Sequence, residues 1–327
     1  MIISRTPLRV SFFGGGSDLP TYYRHAGGAV LSTTIDQSVY VTVSQKFDSS
    51  IRVSYSRTEE VGTVSDVQHP LVREALRLRG IEGGIEIVSV ADVPSRGTGL
   101  GSSSSFTVGL LNALSAYQGA YAPAAQLAQE SCEIEIGRCR EPIGKQDQYA
   151  AAFGGLNLIR FNPDNTVEVC KVICPAETLP ALQRRLLFFY TGITRSASEL
   201  LREQSVEFSK PMGAASRSLS CMADMAVAAF EALCAGRIEA IGPMLHEAWM
   251  IKRGLSSGIS NSLIDDAYEA ALQAGADGGK LLGAGGGGFL MFCAEPSRHG
   301  AIRNALRSLR ETQFAFEPRG SNIIFVH

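Results

Sequence analysis

Between Pro94 and Leu114 the chain reads PSRGTGLGSSSSFTVGLLNAL. Gly97, Gly99 and Gly101 alternate, four serines follow, and apolar residues then recur at helical spacing. Glycine takes positive φ angles readily and lets backbone approach a ligand closely. A helix start leaves four N–H groups without partners and carries partial positive charge, and both suit a phosphate. Ser102, Ser103, Ser104 and Ser105 add hydroxyls that can cap the helix, bond phosphate oxygens or ligate magnesium. The segment is read as a loop that holds a polyphosphate. An ordinary serine-capped helix would account for the serines but not for the alternating glycines.

Two familiar phosphate loops do not fit. No Gly, four residues, Gly-Lys-Ser/Thr string is present. The spacing G-x-G-x-x-G occurs from Gly283 to Gly288, but it runs into the strand-like FLMF instead of a helix. The spacing G-x-S-x-G occurs from Gly254 to Gly258, but it follows a helical pattern instead of a strand, so nothing suggests a serine hydrolase.

The elements that must position this loop follow from periodicity. IISRT, LRVSFF, VYVTVSQ, IRVSYS and IEIVSV are rich in β-branched residues and predict strands. Helices are expected over 70–79, from the serines to about Tyr117, and over 123–138 with Pro123 at the first turn. Further on, RRLLFFYTG and GGFLMFC predict buried strands, and residues 216–234, 243–253 and 262–273 predict helices. IRNALRSLRE is read as an amphipathic helix whose Arg303, Arg307 and Arg310 form a solvated basic stripe, and NIIFVH as a closing strand. The pattern suggests two α+β layers side by side. The boundary is placed at CPAETLP, giving domains 1–178 and 179–327.

Composition narrows the class. The chain has 327 residues, 45% hydrophobic and 19% charged, which suits a packed two-domain protein. A net charge of −2 argues against a nucleic-acid or anionic-membrane binder. The seven cysteines show no C-x-x-C spacing and read as buried thiols in a reducing cytoplasm, not a zinc site. No apolar stretch approaches the roughly twenty residues needed to span a bilayer, and the start does not read as a signal peptide. The expectation is a cytoplasmic protein with no nucleic-acid or membrane partner, its oligomeric state left open.

Three segments together resemble the GHMP kinases: RTPLRVSFFGGGSDLP, PSRGTGLGSSSS and KLLGAGGGGF. Within that superfamily, GGGSDLPTYYRHAGGAVLSTTID, EPIGKQDQYAAAFGGLN, FYTGITRSASELL and LHEAWMIKR are similar to bacterial D-glycero-D-manno-heptose 7-phosphate kinases; fucokinases share part of the first string. The resemblance implies an α+β, two-domain GHMP kinase fold. Its N-terminal domain would be ribosomal protein S5 domain 2-like with a left-handed βαβ element, and its C-terminal domain ferredoxin-like. It further implies ATP and Mg2+, a sugar-phosphate acceptor phosphorylated at its anomeric hydroxyl, and nucleotide-activated heptose synthesis for a surface polysaccharide. Another sugar 1-kinase, or a non-catalytic regulator on the same fold, are the alternatives.

The site residues follow from the same resemblance. Asp147 in GKQDQ matches the catalytic aspartate, which would accept or hydrogen-bond the anomeric proton. Arg9 matches the cationic partner that would stabilise negative charge. Pro94, Gly97, Gly99, Leu100, Gly101 and Ser102 to Ser105 would bind ATP. Gly14, Gly15, Gly16, Ser17 and Asp18 would hold the acceptor, helped by Gly285, Gly286 and Gly287. Arg24, Thr194, Arg195, Lys252 and Arg253 lie in the matching segments, the cations as candidates for a distal phosphate. The metal would take Ser102 or Ser103 and one glutamate. At 100° per residue Glu135 faces inward with Ala124 and Ala128, whereas Glu133 points to solvent, so Glu135 is the choice.

Overall fold

A computed structural model of the chain describes residues 1–94, 97–193 and 213–327. Thr194 and Arg195 lie outside the described residues.

The first sheet is built on two long antiparallel strands, β1 (Ile2–Phe13) and β2 (Gly28–Gln45), separated by the short helix α1 (Pro20–Ala26). Successive Val, Ile and Thr residues favour the pleat, and Leu8, Val10, Val30, Leu31 and Val41 are completely buried. β3 (Ile51–Ser54) and β4 (Thr58–Val61) form a hairpin, and helix α2 (Pro70–Arg79) carries the chain to β5 (Ile85–Ala91). β5 pairs with β2 antiparallel and with β3 parallel. Helix α3 (Ser102–Tyr117) then crosses the sheet. It has no polar face because it is enclosed nearly all round. Its Gly109 lies so close to β1 that a Cβ there would come within 2.6 Å of Thr6 Oγ1. Two further ties fix its position: Ser4 Oγ donates to the Gly109 carbonyl and Ser105 Oγ to the Pro7 carbonyl, both at 2.8 Å.

Helix α4 (Ala124–Cys132) runs straight into a π-helical turn (Glu133–Arg138), and α5 (Gln146–Phe153) follows after a short loop. The 123–138 helix was therefore legible, but Pro123 stands at its N-cap and its last six residues are wound more widely. β6 (Leu156–Phe161) pairs with the first half of β2, and β7 (Val167–Lys171) with β6.

After α6 (Thr178–Arg184) the chain enters a second, four-stranded antiparallel sheet in the order β11-β8-β10-β9. Its strands are β8 (Leu186–Tyr190), β9 (Gly278–Leu281), β10 (Phe289–Cys293) and β11 (Arg310–Thr312). Helices α7 (Ala214–Cys234), α8 (Ile241–Arg253) and α9 (Ser262–Gln273) lie between β8 and β9 in the chain. The helix expected over IRNALRSLRE is short, α10 (His299–Ala305). Arg310 belongs to β11, and Arg303 pairs with Glu311 of that strand at 2.9 Å, so no single basic stripe forms.

The last strand, β12 (Asn322–Val326), returns to the first sheet and pairs antiparallel with the start of β1. Residues after 178 therefore contribute to both sheets, and Phe316 adds an isolated bridge to Ile35 of β2. One apolar cluster runs from β1, β2 and α3 through α7 to Phe188 and Met291 of the second sheet. A smaller one surrounds Trp249, Tyr268 and Phe292. Among the described residues no helix is long and apolar enough to cross a membrane.

Leu111, completely buried midway along α3, tests whether this helix anchors the site by packing. Leu111→Ala should cost about 2–5 kcal/mol, seen as a lower urea midpoint. An unchanged midpoint would mean that the helix is held by its polar ties alone.

Candidate active site

The glycines of the first loop adopt the conformation expected: φ is 70° at Gly97, 76° at Gly99 and 76° at Gly101. Leu100 between them is completely buried and pegs the loop into the core. Gly101 is the N-cap of α3, and no side chain caps that helix. The helical ladder begins with the Ser105 N–H donating to the Gly101 carbonyl at 3.0 Å. The amides of Ser102, Ser103 and Ser104 precede it, as in any first helical turn, and provide the donors for an anion.

The serine hydroxyls divide by role. Ser105 is completely buried and bonded to Pro7, so it fastens the helix and is not a phosphate ligand. Ser104 donates to Glu135 Oε2 at 2.7 Å and Ser103 to Oε1 at 3.1 Å. Ser102 Oγ is buried with no partner. Pro94 is exposed at the edge of the loop.

Beneath this loop sits an ion pair. Arg9 on β1 grips Asp147, in the first turn of α5, through Nε to Oδ1 at 2.7 Å and Nη2 to Oδ2 at 2.9 Å. The third side of the guanidinium donates from Nη1 to the Gly99 carbonyl at 2.6 Å, and the Arg9 N–H to the Leu100 carbonyl at 3.0 Å. One arginine therefore holds both the carboxylate and the loop. The Asp147 side chain is 23% exposed against 5% for Arg9, so the open side belongs to the carboxylate. Gly101 passes directly over the pair: a Cβ there would come within 3.2 Å of Asp147 Oδ2.

The Gly14–Asp18 loop adjoins this pair. Gly14 has φ 83° and lies against β2, where a Cβ would meet the Ala29 carbonyl at 1.8 Å. Gly16 has φ 105°, and its N–H donates to Asp18 Oδ1 at 2.9 Å. Gly15 has ordinary clearance, 3.7 Å from Ser11 Oγ and Gln146 Nε2. Ser17 departs from its expected role. It is completely buried, with its hydroxyl bonded to the Gly14 and Ala29 carbonyls and the Ala29 N–H, so it shapes the loop instead of touching an acceptor. Asp18 takes the Gln146 N–H on Oδ2 at 3.2 Å. Burial raises the Asp18 pKa and the nearby Asp147 charge adds to it, opposed by the N–H bonds from Gly16 and Gln146. Gly144 is required beside it, since a Cβ there would come within 1.9 Å of Asp18 Oδ2.

The second half of the chain completes the site. Gly283 and Gly99 touch backbone to backbone: a Cβ on Gly283 would lie 2.4 Å from the Gly99 Cα, and one on Gly288 would lie 2.5 Å from the Thr98 carbonyl. Gly286 donates to the Ile259 carbonyl at 2.9 Å, and Gly287 leaves no room beside Ile193. Through Gly283 and Gly288 this late loop braces the phosphate loop, and Gly285 between them has φ 127°. Lys252 is buried, with its ammonium donating to the Gly283 carbonyl. Burial lowers its pKa to about 8, with the charge of Arg9 acting in the same direction. Arg24 is not brought here: it is exposed on α1 and borders a separate cavity of about 180 Å³ with Tyr23 and Lys145. Arg253 is turned to Asp265 at 3.6 Å.

Glu135 lies on the π-helical turn, completely buried as its helix face predicts, whereas Glu133 is exposed and paired with Arg138 at 2.6 Å. Its carboxylate accepts from Ser103, Ser104, Thr107 and Gln148. Burial nevertheless pushes its pKa up to about 7, the four hydrogen bonds opposing. Buried carboxylate oxygen bonded to Ser103, with the partnerless Ser102 hydroxyl one residue earlier in the chain, offers hard-oxygen donors that fit Mg2+. No cluster of three His, Cys, Asp or Glu exists among the described residues. Magnesium, which takes much of its shell from phosphate and water, does not need one.

Sequence reasoning missed Gln146, Gln148, Thr107 and Lys280. The first two were visible in GKQDQ, where alternate polar residues flank Asp147 at a helix start. Gln146 reaches Asp18, and Gln148 reaches Glu135.

The model for the GHMP kinases N terminal domain matches residues 67–155, and that for the GHMP kinases C terminal matches residues 229–312. A D-glycero-alpha-D-manno-heptose 7-phosphate kinase of Campylobacter jejuni is 29% identical over 339 residues, covering 98% of this chain and 97% of that protein. A bifunctional fucokinase/GDP-fucose pyrophosphorylase of Arabidopsis thaliana is 26% identical over 88% of this chain, which spans only 29% of that longer protein. The crystal structure of a D-glycero-D-manno-heptose 1-phosphate kinase from Bacteriodes thetaiotaomicron superposes with a TM-score of 0.81 over 100% of both chains at 24% identity, which shows the fold.

Two substitutions test the site. Gly99→Ala, which forces a Cβ to 2.5 Å from the Leu282 carbonyl at positive φ, should raise the KM for ATP at least tenfold in initial-rate assays. Glu135→Gln should raise the magnesium concentration needed for half-maximal rate, while Glu133→Gln leaves it unchanged; the reverse pattern would exclude Glu135 as the metal's carboxylate.

Proposed function

The chain belongs to the GHMP kinases and is an ATP-dependent carbohydrate kinase, and from that premise we propose that it phosphorylates the anomeric hydroxyl of D-glycero-D-manno-heptose 7-phosphate. The product would be the 1,7-bisphosphate, an intermediate toward nucleotide-activated heptose for a surface polysaccharide. The observation that carries the reading is the Arg9–Asp147 pair beneath the phosphate loop, with Asp18 alongside. The Campylobacter relative supports the choice of sugar.

In this reading the amides at the start of α3 and the glycine backbone receive the phosphates of ATP. The negative charge of those phosphates would be offset by Mg2+ when it is bound. Glu135 with Ser102 or Ser103 would hold it. Asp18 fixes an acceptor hydroxyl, and Asp147 accepts or hydrogen-bonds the anomeric proton as the oxygen attacks. Arg9 keeps that carboxylate aimed while its charge faces the phosphoryl group in transit. Phosphoryl transfer demands little more than such positioning and charge stabilisation.

A second reading, a fucokinase-like enzyme acting on a neutral sugar, is favoured by one observation. Of the described cations considered for a distal phosphate, Arg24 lies apart and Arg253 is paired with Asp265. Among the described candidates Lys252 alone adjoins Arg9 and Asp18.

ADP release should be fastest with heptose 7-phosphate in a panel containing the unphosphorylated heptose, mannose and fucose. Faster turnover of a neutral sugar would establish the second reading. Silence with every acceptor despite ATP binding would leave a regulator. Asp147→Ala should lower kcat by roughly 10²–10⁴-fold with ATP affinity nearly unchanged; near-normal kcat would remove Asp147 as the proton acceptor.

A further inference from the structure

Lys280, on β9, is the first residue of the KLLGAGGGGF segment, and the mechanism above leaves it unused. Its side chain is buried, and its ammonium donates to two backbone carbonyls of β1, Ser11 and Phe12, each at 2.9 Å. The β1–β2 register slips at that point: Ser11 pairs with Ser32 and Phe13 with Leu31, leaving Phe12 unmatched. A bulge of this kind bends its strand and re-aims the residues around it. Successive carbonyls of a regular strand point to opposite edges. Here two in a row converge on one nitrogen.

The position of the bulge gives it meaning. Arg9 lies two residues before Ser11, and the Gly14–Asp18 loop begins two residues after Phe12. Beyond Lys280 the chain runs into Gly283, which touches Gly99 of the phosphate loop. Burial lowers the Lys280 pKa well below the usual lysine value, and the charges of Lys252 and Arg9 act in the same direction. Burying an ammonium among backbone carbonyls carries a large desolvation cost, so stability alone does not account for it.

We infer that Lys280 is a positioning residue for phosphoryl transfer, clamping the β1 bulge so that the Arg9 fork and the Gly14–Asp18 loop keep their register beneath the phosphate loop. This rests on Arg9 and Asp147 being the transfer pair. The identity of the sugar does not enter.

Lys280→Met, assayed with whichever acceptor of the panel turns over fastest, tests it. Because a displacement near 1 Å costs roughly 10²-fold in rate, kcat should fall by about that factor. The Kd for ATP should stay within about threefold, even where the two freed carbonyls lower the melting temperature. The same change is then made in Arg9→Lys, which keeps a cation but loses the two-pronged grip. If Lys280 acts through that grip, the further loss should be under about threefold. A Lys280→Met enzyme with normal kcat, or losses that multiply fully in the Arg9→Lys background, overturns the inference. Should the methionine variant not fold, Lys280→Gln enters the same cycle with the same criteria. A fully active Arg9→Lys enzyme instead refutes the role of the Arg9 grip, a failure distinct from that of Lys280.

Discussion

A guanidinium removed from water must find oxygen on every side, or the fold that buries it is lost. Arg9 meets that demand with the two oxygens of Asp147 and the Gly99 carbonyl. Three separate pieces of chain, β1, the phosphate loop and the start of α5, are thereby brought to one point. The backbone of the phosphate loop can approach only because Gly101 has no side chain to strike the pair. α5 in turn distributes its neighbours: Gln146 turns to Asp18 and Gln148 to Glu135. The Gly14–Asp18 loop, Glu135 and Asp147 therefore depend on one short helix start, so an error in placing any one would be felt by the other two.

Much of this was legible in the sequence because it depended on local rules. Alternating glycines before a serine run meant positive φ and a helix start, and the φ values of Gly97, Gly99 and Gly101 agree. The periodicity of α2, α3 and α9 marked their limits to within a residue or two. The inward face of Glu135 followed from helical geometry even though the turn that carries it is π-helical. Arg9 and Asp147 were paired from resemblance to a family, since nothing in a string of letters joins residues 138 positions apart.

What escaped was whatever depended on a distant partner. Ser17 and Ser105 looked like ligand-facing hydroxyls because serine beside glycine suits a binding loop; Ser17 is instead consumed by the Gly14 and Ala29 carbonyls, and Ser105 by that of Pro7, 98 residues earlier. The RSLRE segment carried a helical pattern, yet its end pairs with β8 and becomes strand β11. Lys280 showed no sign of its two carbonyl partners because they lie 268 and 269 residues earlier in the chain. Tertiary context overrode propensity in each case.

The return of β12 to the first sheet has one further consequence. Besides pairing with β1, this last stretch supplies Ser321, whose hydroxyl meets Thr6 and accepts from Asn112 of α3. Glu317 just before it accepts from Arg5 at 2.8 Å. The second half of the sequence is thus threaded back into the first, and the foundation under the phosphate loop is finished only by the residues furthest from it in the chain. During synthesis on a ribosome, β1 would wait with an open edge until some three hundred further residues had emerged. The ATP-binding half is consequently among the first parts to be made and the last to be closed.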